Sequence, residues 1–132
     1  MTARARALIA GAAYFAIVFV VGFVLGSVRT LIIVPQIGVL RATLLEAPLM
    51  LAASWFACGR ILAIWKPPPR ISLRLLMGAT AFALLMAAEF VLAMTIFGLT
   101  PAQYGASFST LAAQIGLATQ IAFALLPLLR RR

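Results

Sequence analysis

Two carboxylates and one thiol, Glu46, Glu89 and Cys58, are the conventional catalytic groups of this chain, which contains no histidine and no aspartate. A Ser–His–Asp triad, a His-ligated haem and a His-bearing zinc centre are thereby excluded. Proteolysis by an aspartate pair is excluded as well. A single cysteine closes no internal disulfide. Two acids and backbone carbonyls make a poor metal site, so neither a metal nor a cofactor is expected. What the acids can do depends on where they sit. Both interrupt long apolar runs, and an ionisable group inside a membrane segment marks a proton, ion or ligand site by default. The plainer reading is polar glue between helices, worth about 0.6 kcal/mol on average. Cys58 reads as a small buried residue rather than a reactive thiol.

The elements that must position these groups follow from composition. Of 132 residues, 65% are hydrophobic and 10% charged, against about 45–50% and about 25% in an ordinary soluble domain. A soluble fold of this length could not hide so much apolar surface. The expected fold is all-α: a polytopic membrane protein, one domain over residues 1–132, built as a bundle of four transmembrane helices at 7–34, 40–65, 71–98 and 101–129. Pro35, Gln36 and Gly38 make the first turn, Lys66-Pro67-Pro68-Pro69-Arg70 a stiff second link, and Leu99-Thr100-Pro101 the third break. Long unbroken apolar runs exclude a β-barrel, whose strands alternate. Arg4 and Arg6 resemble the start of a signal peptide, but the apolar stretch behind them is too long and lacks a clear cleavage site, so a retained first helix is expected.

The net charge of +9 falls in clusters between the apolar runs, which is the pattern of membrane orientation rather than of nucleic-acid binding. Nine Lys and Arg residues lie on the side of the termini and two on the other. Both termini are therefore expected in the cytoplasm, with a bacterial inner membrane as the location. Arg60, Lys66, Arg70, Arg74, Arg130, Arg131 and Arg132 are the expected contacts for anionic headgroups.

Folding the first two helices about residues 36–38 pairs positions of equal depth. Arg29 then faces Glu46, Gly22 faces Ala53, and Gly26 faces Leu49. Each set also follows one helical face. The opposite charges can neutralise each other, and Gly22, Gly26 and Ala53 permit close packing. Glu89 and Gln114 are expected at a comparable level in helices three and four, which gives a possible polar cluster of Arg29, Glu46, Glu89 and Gln114. A small-residue stripe on helix four, including Gly105 and Gly116, offers a packing face within the chain or for a partner, with Gln120 alongside. An internal two-helix repeat is not found.

The run Gly22-x3-Gly26-x2-Arg29-x5-Pro35-x2-Gly38-x2-Arg41-Ala42-x3-Glu46-x-Pro48, continuing to Met50 and Ser54-Trp55, resembles a group of small proteobacterial membrane proteins. The likeness is tightest over the first hairpin and looser beyond it. It implies a four-helix inner-membrane protein and carries no activity with it. The small multidrug transporters are similar in size, but they place their key glutamate in the first helix, where this chain has none. The acid-rich motif of bacterial diacylglycerol kinases is also absent, and the pattern of the fluoride channels is not matched.

Tiny loops, no catalytic constellation and several small-residue faces point first to an accessory, assembly or helix- and lipid-interaction subunit. A homodimer or a larger membrane complex is the expected assembly. The alternative is a small oligomeric transporter or channel moving protons or cations through Glu89 and Glu46, with Arg29 tuning them. A lipid- or quinone-modifying enzyme ranks third, because nothing pairs a nucleophile with a base.

Overall fold

A computed structural model describes residues 2–96 and 98–130. The first apolar run is a continuous helical rod from Ala3 to Ile37. Its main part is α1 (Ala3–Val28), capped by Thr2, whose hydroxyl accepts the Ala5 N–H at 3.1 Å. At Arg29–Ile33 the rod widens into a π-turn, where the Val34 N–H reaches back to the Arg29 carbonyl, and it then resumes as α2 (Val34–Ile37). Pro35 supplies a physical reason. It has no N–H, and its ring crowds the carbonyl one turn back, so the ladder ahead of it shifts by one residue. Gly38, at φ 89°, turns the chain directly into α3 (Val39–Trp65). That backbone conformation is open to glycine because it lacks a Cβ.

Lys66 ends α3 in the left-handed region, and the prolines carry the chain to α4 (Ile71–Thr95). Gly98 turns at φ 65°, and Leu99 donates its N–H to the Ala93 carbonyl at 2.9 Å. The short helix α5 (Pro101–Ser107) begins with a reciprocal cap between Thr100 and Gln103, and α6 (Leu111–Arg130) completes the chain.

The expected fourth helix at 101–129 is therefore corrected: it is broken at residues 108–110. Hydroxyls compete with the helical ladder there. Ser107 donates to the Tyr104 carbonyl at 2.6 Å, while Thr110 donates to the Ser107 carbonyl at 3.3 Å and accepts the Ala113 N–H at 3.2 Å. Thr110 so starts α6 as a side-chain cap. The third helix also stops earlier than expected, at Thr95 instead of residue 98.

Among the described residues, four helical segments are long and apolar enough to cross a membrane. They run up, down, up and down, and around the bundle their order is α1, α3, α6, α4. Consecutive α3 and α4 thus lie diagonally across from each other. Neighbouring helix axes sit about 10 Å apart, so the diagonal is about 14 Å. Five extended residues span about 15 Å, at about 3.1 Å each. The Lys66–Arg70 link matches that distance, and its prolines keep it extended.

Large apolar side chains cover the outside, among them Val20, Phe23, Leu31, Phe56, Val91 and Leu129. The core lies in the half near the termini and centres on Tyr14, Cys58, Ile61, Leu62, Met77 and Phe123. Two glycines set the closest helix approaches. A Cβ on Gly11 would stand 2.6 Å from the Met77 carbonyl oxygen, and one on Gly78 would overlap the Ala124 carbonyl. Backbone cannot yield as a side-chain tip can, so Gly78→Ala is expected to push α4 and α6 apart at a cost of about 1–3 kcal/mol. Gly116→Ala meets open space and is expected to be neutral or to stabilise by up to about 1 kcal/mol through helix propensity. Unfolding midpoints of the two variants in detergent check the contrast. Equal midpoints would show that the α4–α6 approach is not tight.

Candidate functional site

The polar groups gather at two ends of the bundle. At the end away from the termini, Arg29 and Glu46 form an ion pair between the π-turn and α3. Arg29 is the first residue of that turn. Both side chains are part-buried, at 30% and 18% exposure, where a lone charge would be costly.

Glu89 has a different partner. The Gln120 side-chain N–H donates to its carboxylate, which joins α4 to α6. Tyr104 packs edge-on against Phe90 at 5.3 Å and Phe108 at 5.2 Å, which seats α5 on α4. Its hydroxyl is buried and unpartnered among the described residues, as is the side-chain carbonyl of Gln120. Loss of hydration raises the Tyr104 phenol above its usual range, and the Glu89 carboxylate adds to the rise. Glu89, Gln120 and Tyr104 thus form a second polar group at this end.

Gln114, expected in the cluster, lies elsewhere. It is exposed, and its amide donates to the Phe108 carbonyl at 3.3 Å, closing the α5–α6 break. Because the helix restarts at Leu111, Gln114 falls in the first turn of α6, while Gln120 falls at the level of Glu89. Among the described residues, no hydrogen bond or ion pair joins Arg29 or Glu46 to Glu89.

The packing residues divide in the same way. Gly22 sits under the Met50 side chain of α3, with 3.2 Å available to a Cβ, and Ala53 is half-buried. Gly26 borders only the Arg29 side chain, while Gly105 and Gly116 face open space. Within the chain, close approach of backbones is made instead at Gly11 and Gly78. Gly59 makes room for the Arg130 guanidinium, which stacks on Trp55 with 4.4 Å to the ring centroid.

At the other end, the expectation that Arg74 contacts headgroups is corrected. Arg74 is 1% exposed. Its guanidinium donates to the Pro127 carbonyl at 3.1 Å and to the Pro67 carbonyl at 3.3 Å. No acid is needed, because a carbonyl of the proline link and a carbonyl near the end of α6 meet there, and the C-terminal end of a helix carries about half a negative charge. Arg60, Lys66 and Arg70 are exposed, Arg130 is half-buried over Trp55, and Arg131 and Arg132 lie outside the described residues.

Tyr14 was not anticipated as a key residue, yet it crosses the diagonal from α1 to α6. Its ring stacks on Phe123 at 4.3 Å, and its hydroxyl donates to the Phe123 carbonyl at 2.7 Å. That carbonyl stands four residues before Pro127, which has no N–H to give it. A proline inside an apolar helix is the sequence signal that could have predicted an orphaned acceptor and a donor to meet it.

Among the described residues, no group of His, Cys, Asp or Glu could hold a metal. Four apolar helices in an all-helical bundle define the class, a multi-pass membrane architecture. Comparison with protein-family models, with curated proteins and with solved structures gave no match.

Proposed function

We propose that this chain is an accessory or assembly subunit of a bacterial inner membrane, with both termini cytoplasmic, which binds other helices and lipid and performs no catalysis of its own. The observation that carries this reading is the uneven packing of α6. Its second half is locked into the bundle through Phe123 and Pro127, whereas its first half buries no residue and turns Gly116 and Gln114 outward. A membrane helix with small and amide side chains left unpacked is suited to meeting another helix, since packing and polar contacts, not hydrophobicity, drive helix association in lipid. The exposed Arg60, Lys66 and Arg70 suit an anionic membrane surface.

One observation favours the transporter reading. Two buried oxygens without partners, on Tyr104 and Gln120, accompany the Glu89 carboxylate. A proton or cation could use such a group. Two measurements on the protein from its own membrane separate the readings. Native mass spectrometry is expected to find a stoichiometric foreign subunit, lost on Gly116→Leu. Vesicles containing the purified protein are expected to show no pH-driven flux. A partner-free homodimer with flux abolished by Glu89→Gln would overturn the subunit reading.

A further inference from the structure

An open cleft of about 610 Å³ lies between the start of α1 and the start of α4, lined by Thr2, Ala3, Arg4, Arg70, Ser72 and Leu73. We propose that this cleft is a binding site for the headgroup phosphate of one anionic glycerophospholipid, held between Arg4 and Arg70. The proposal gives a defined seat to the lipid contact proposed above and rests on that end of the bundle meeting the membrane surface.

Three features support it. The first is charge. Arg4 and Arg70 come from different elements and line the same cleft, and both are exposed. Neither has an acid partner among the described residues, where the one ion pair is Arg29 with Glu46. The side-chain carboxylates, Glu46 and Glu89, both lie in the opposite half of the bundle. Two guanidinium groups with free donors match a phosphate well, because each can present paired N–H groups to its oxygens.

The second feature is the polar lining. The hydroxyls of Thr2 and Ser72 border the cleft. The Thr2 hydroxyl already accepts the Ala5 N–H, so its own hydrogen is free to donate. No side chain caps α4. Helices α1 and α4 run parallel, so both positive ends face this cleft and add to the field of the arginines.

The third feature selects a lipid over a soluble anion. Leu8 lies one turn beyond Arg4 on the same face of α1 and is 45% exposed. Leu76 lies one turn beyond Ser72 on α4 and is half-buried. Apolar side chains thus stand one turn beyond the cleft's lining residues, towards the middle of the bundle, and an amphiphile suits both. Arg60 and Lys66, although exposed at the same end, do not line the cleft.

The test is native mass spectrometry of the full chain in mild detergent, titrated separately with phosphatidylglycerol and phosphatidylcholine. One phosphatidylglycerol per chain is expected to be retained, with at least a tenfold preference over phosphatidylcholine. The Arg4→Gln/Arg70→Gln variant is expected to lose that preference, and Arg60→Gln to keep it. Both cleft arginines are exposed, so an unchanged circular dichroism spectrum is expected and would show that the loss is not unfolding. Equal retention of the two lipids by the wild type would overturn the site, as would undiminished preference in the double variant. Displacement of the lipid by millimolar inorganic phosphate would make it a soluble-anion site and overturn the lipid assignment. Each of these failures leaves the foreign-subunit result standing, so the two proposals fail separately.

Discussion

Replacing Arg74 with alanine is expected to lower the stability of the bundle by about 2–4 kcal/mol, since two buried carbonyls lose a charged donor. The side chain is 1% exposed and ties two segments together: the Pro67 carbonyl of the diagonal connection and the Pro127 carbonyl near the end of α6. Without it, two carbonyls at a buried position lose their donor. Lysine is expected to restore only part of the loss, because it keeps the charge but lacks the planar fork that reaches two acceptors at fixed angles. Arg60→Ala removes an exposed arginine from the same end and is expected to change stability by less than about 0.5 kcal/mol. Unfolding by increasing fractions of sodium dodecyl sulfate would rank the three variants. An Arg74→Ala midpoint equal to that of Arg60→Ala would refute the role assigned to this guanidinium.

Tyr14→Phe is expected to cost about 1–3 kcal/mol, the penalty for stranding one buried acceptor, and the loss should depend on Pro127. In the wild type, the Phe123 carbonyl receives the Tyr14 hydroxyl because Pro127 offers no N–H. In a Pro127→Ala background, the residue at 127 can donate to that carbonyl in the ordinary helical way. The cost of Tyr14→Phe should then fall by about half or more, and the two substitutions should be non-additive as coupled neighbours are. Stacking on Phe123 at 4.3 Å survives in the phenylalanine variant, so the cycle isolates the hydrogen bond. Tyr14→Ala removes the ring as well and is expected to cost about 3–5 kcal/mol. A Tyr14→Phe cost identical in both backgrounds would disprove the complementarity of the hydroxyl and the proline.

These two residues mark where sequence reading stopped. Arg74 looked like one more member of a basic cluster following a proline link, and on charge alone it belonged with Arg60 and Arg70. Its inward turn depends on the proline link and the end of α6 both presenting carbonyls at that level. That meeting follows from the order of helices around the bundle, which no local pattern specifies. Tyr14 was one aromatic residue in a uniformly apolar helix. In lipid, the outside of a bundle is as apolar as its core, so periodicity cannot say which face turns inward.

The first hairpin was more legible. A turn near Gly38 and a regular rise fix which residues share a depth, and helical spacing fixes which share a face. Arg29 and Glu46 satisfied both and are paired. The same arithmetic put Gln114 at the level of Glu89, because it carried helix four unbroken through residues 108–110. Ser107 and Thr110 sit in the sequence as a close pair of hydroxyls, and both bind backbone. Their effect on the register decides that Gln120, and not Gln114, reaches the carboxylate.

By itself, the sequence determined the solvent and the secondary structure. Long runs without charge can be stable only as helices in lipid, since each backbone group must then be satisfied within its own segment. Proline and glycine placed the turns, and the scarcity of acids limited the chemistry. Only the tertiary structure decided which helices are neighbours, which arginine is buried, and which glycines carry the close approaches. Those outcomes depend on the rotation of each helix about its axis, and that rotation is set by side chains meeting across the bundle, such as Tyr14 with Phe123 and Gly78 with Ala124.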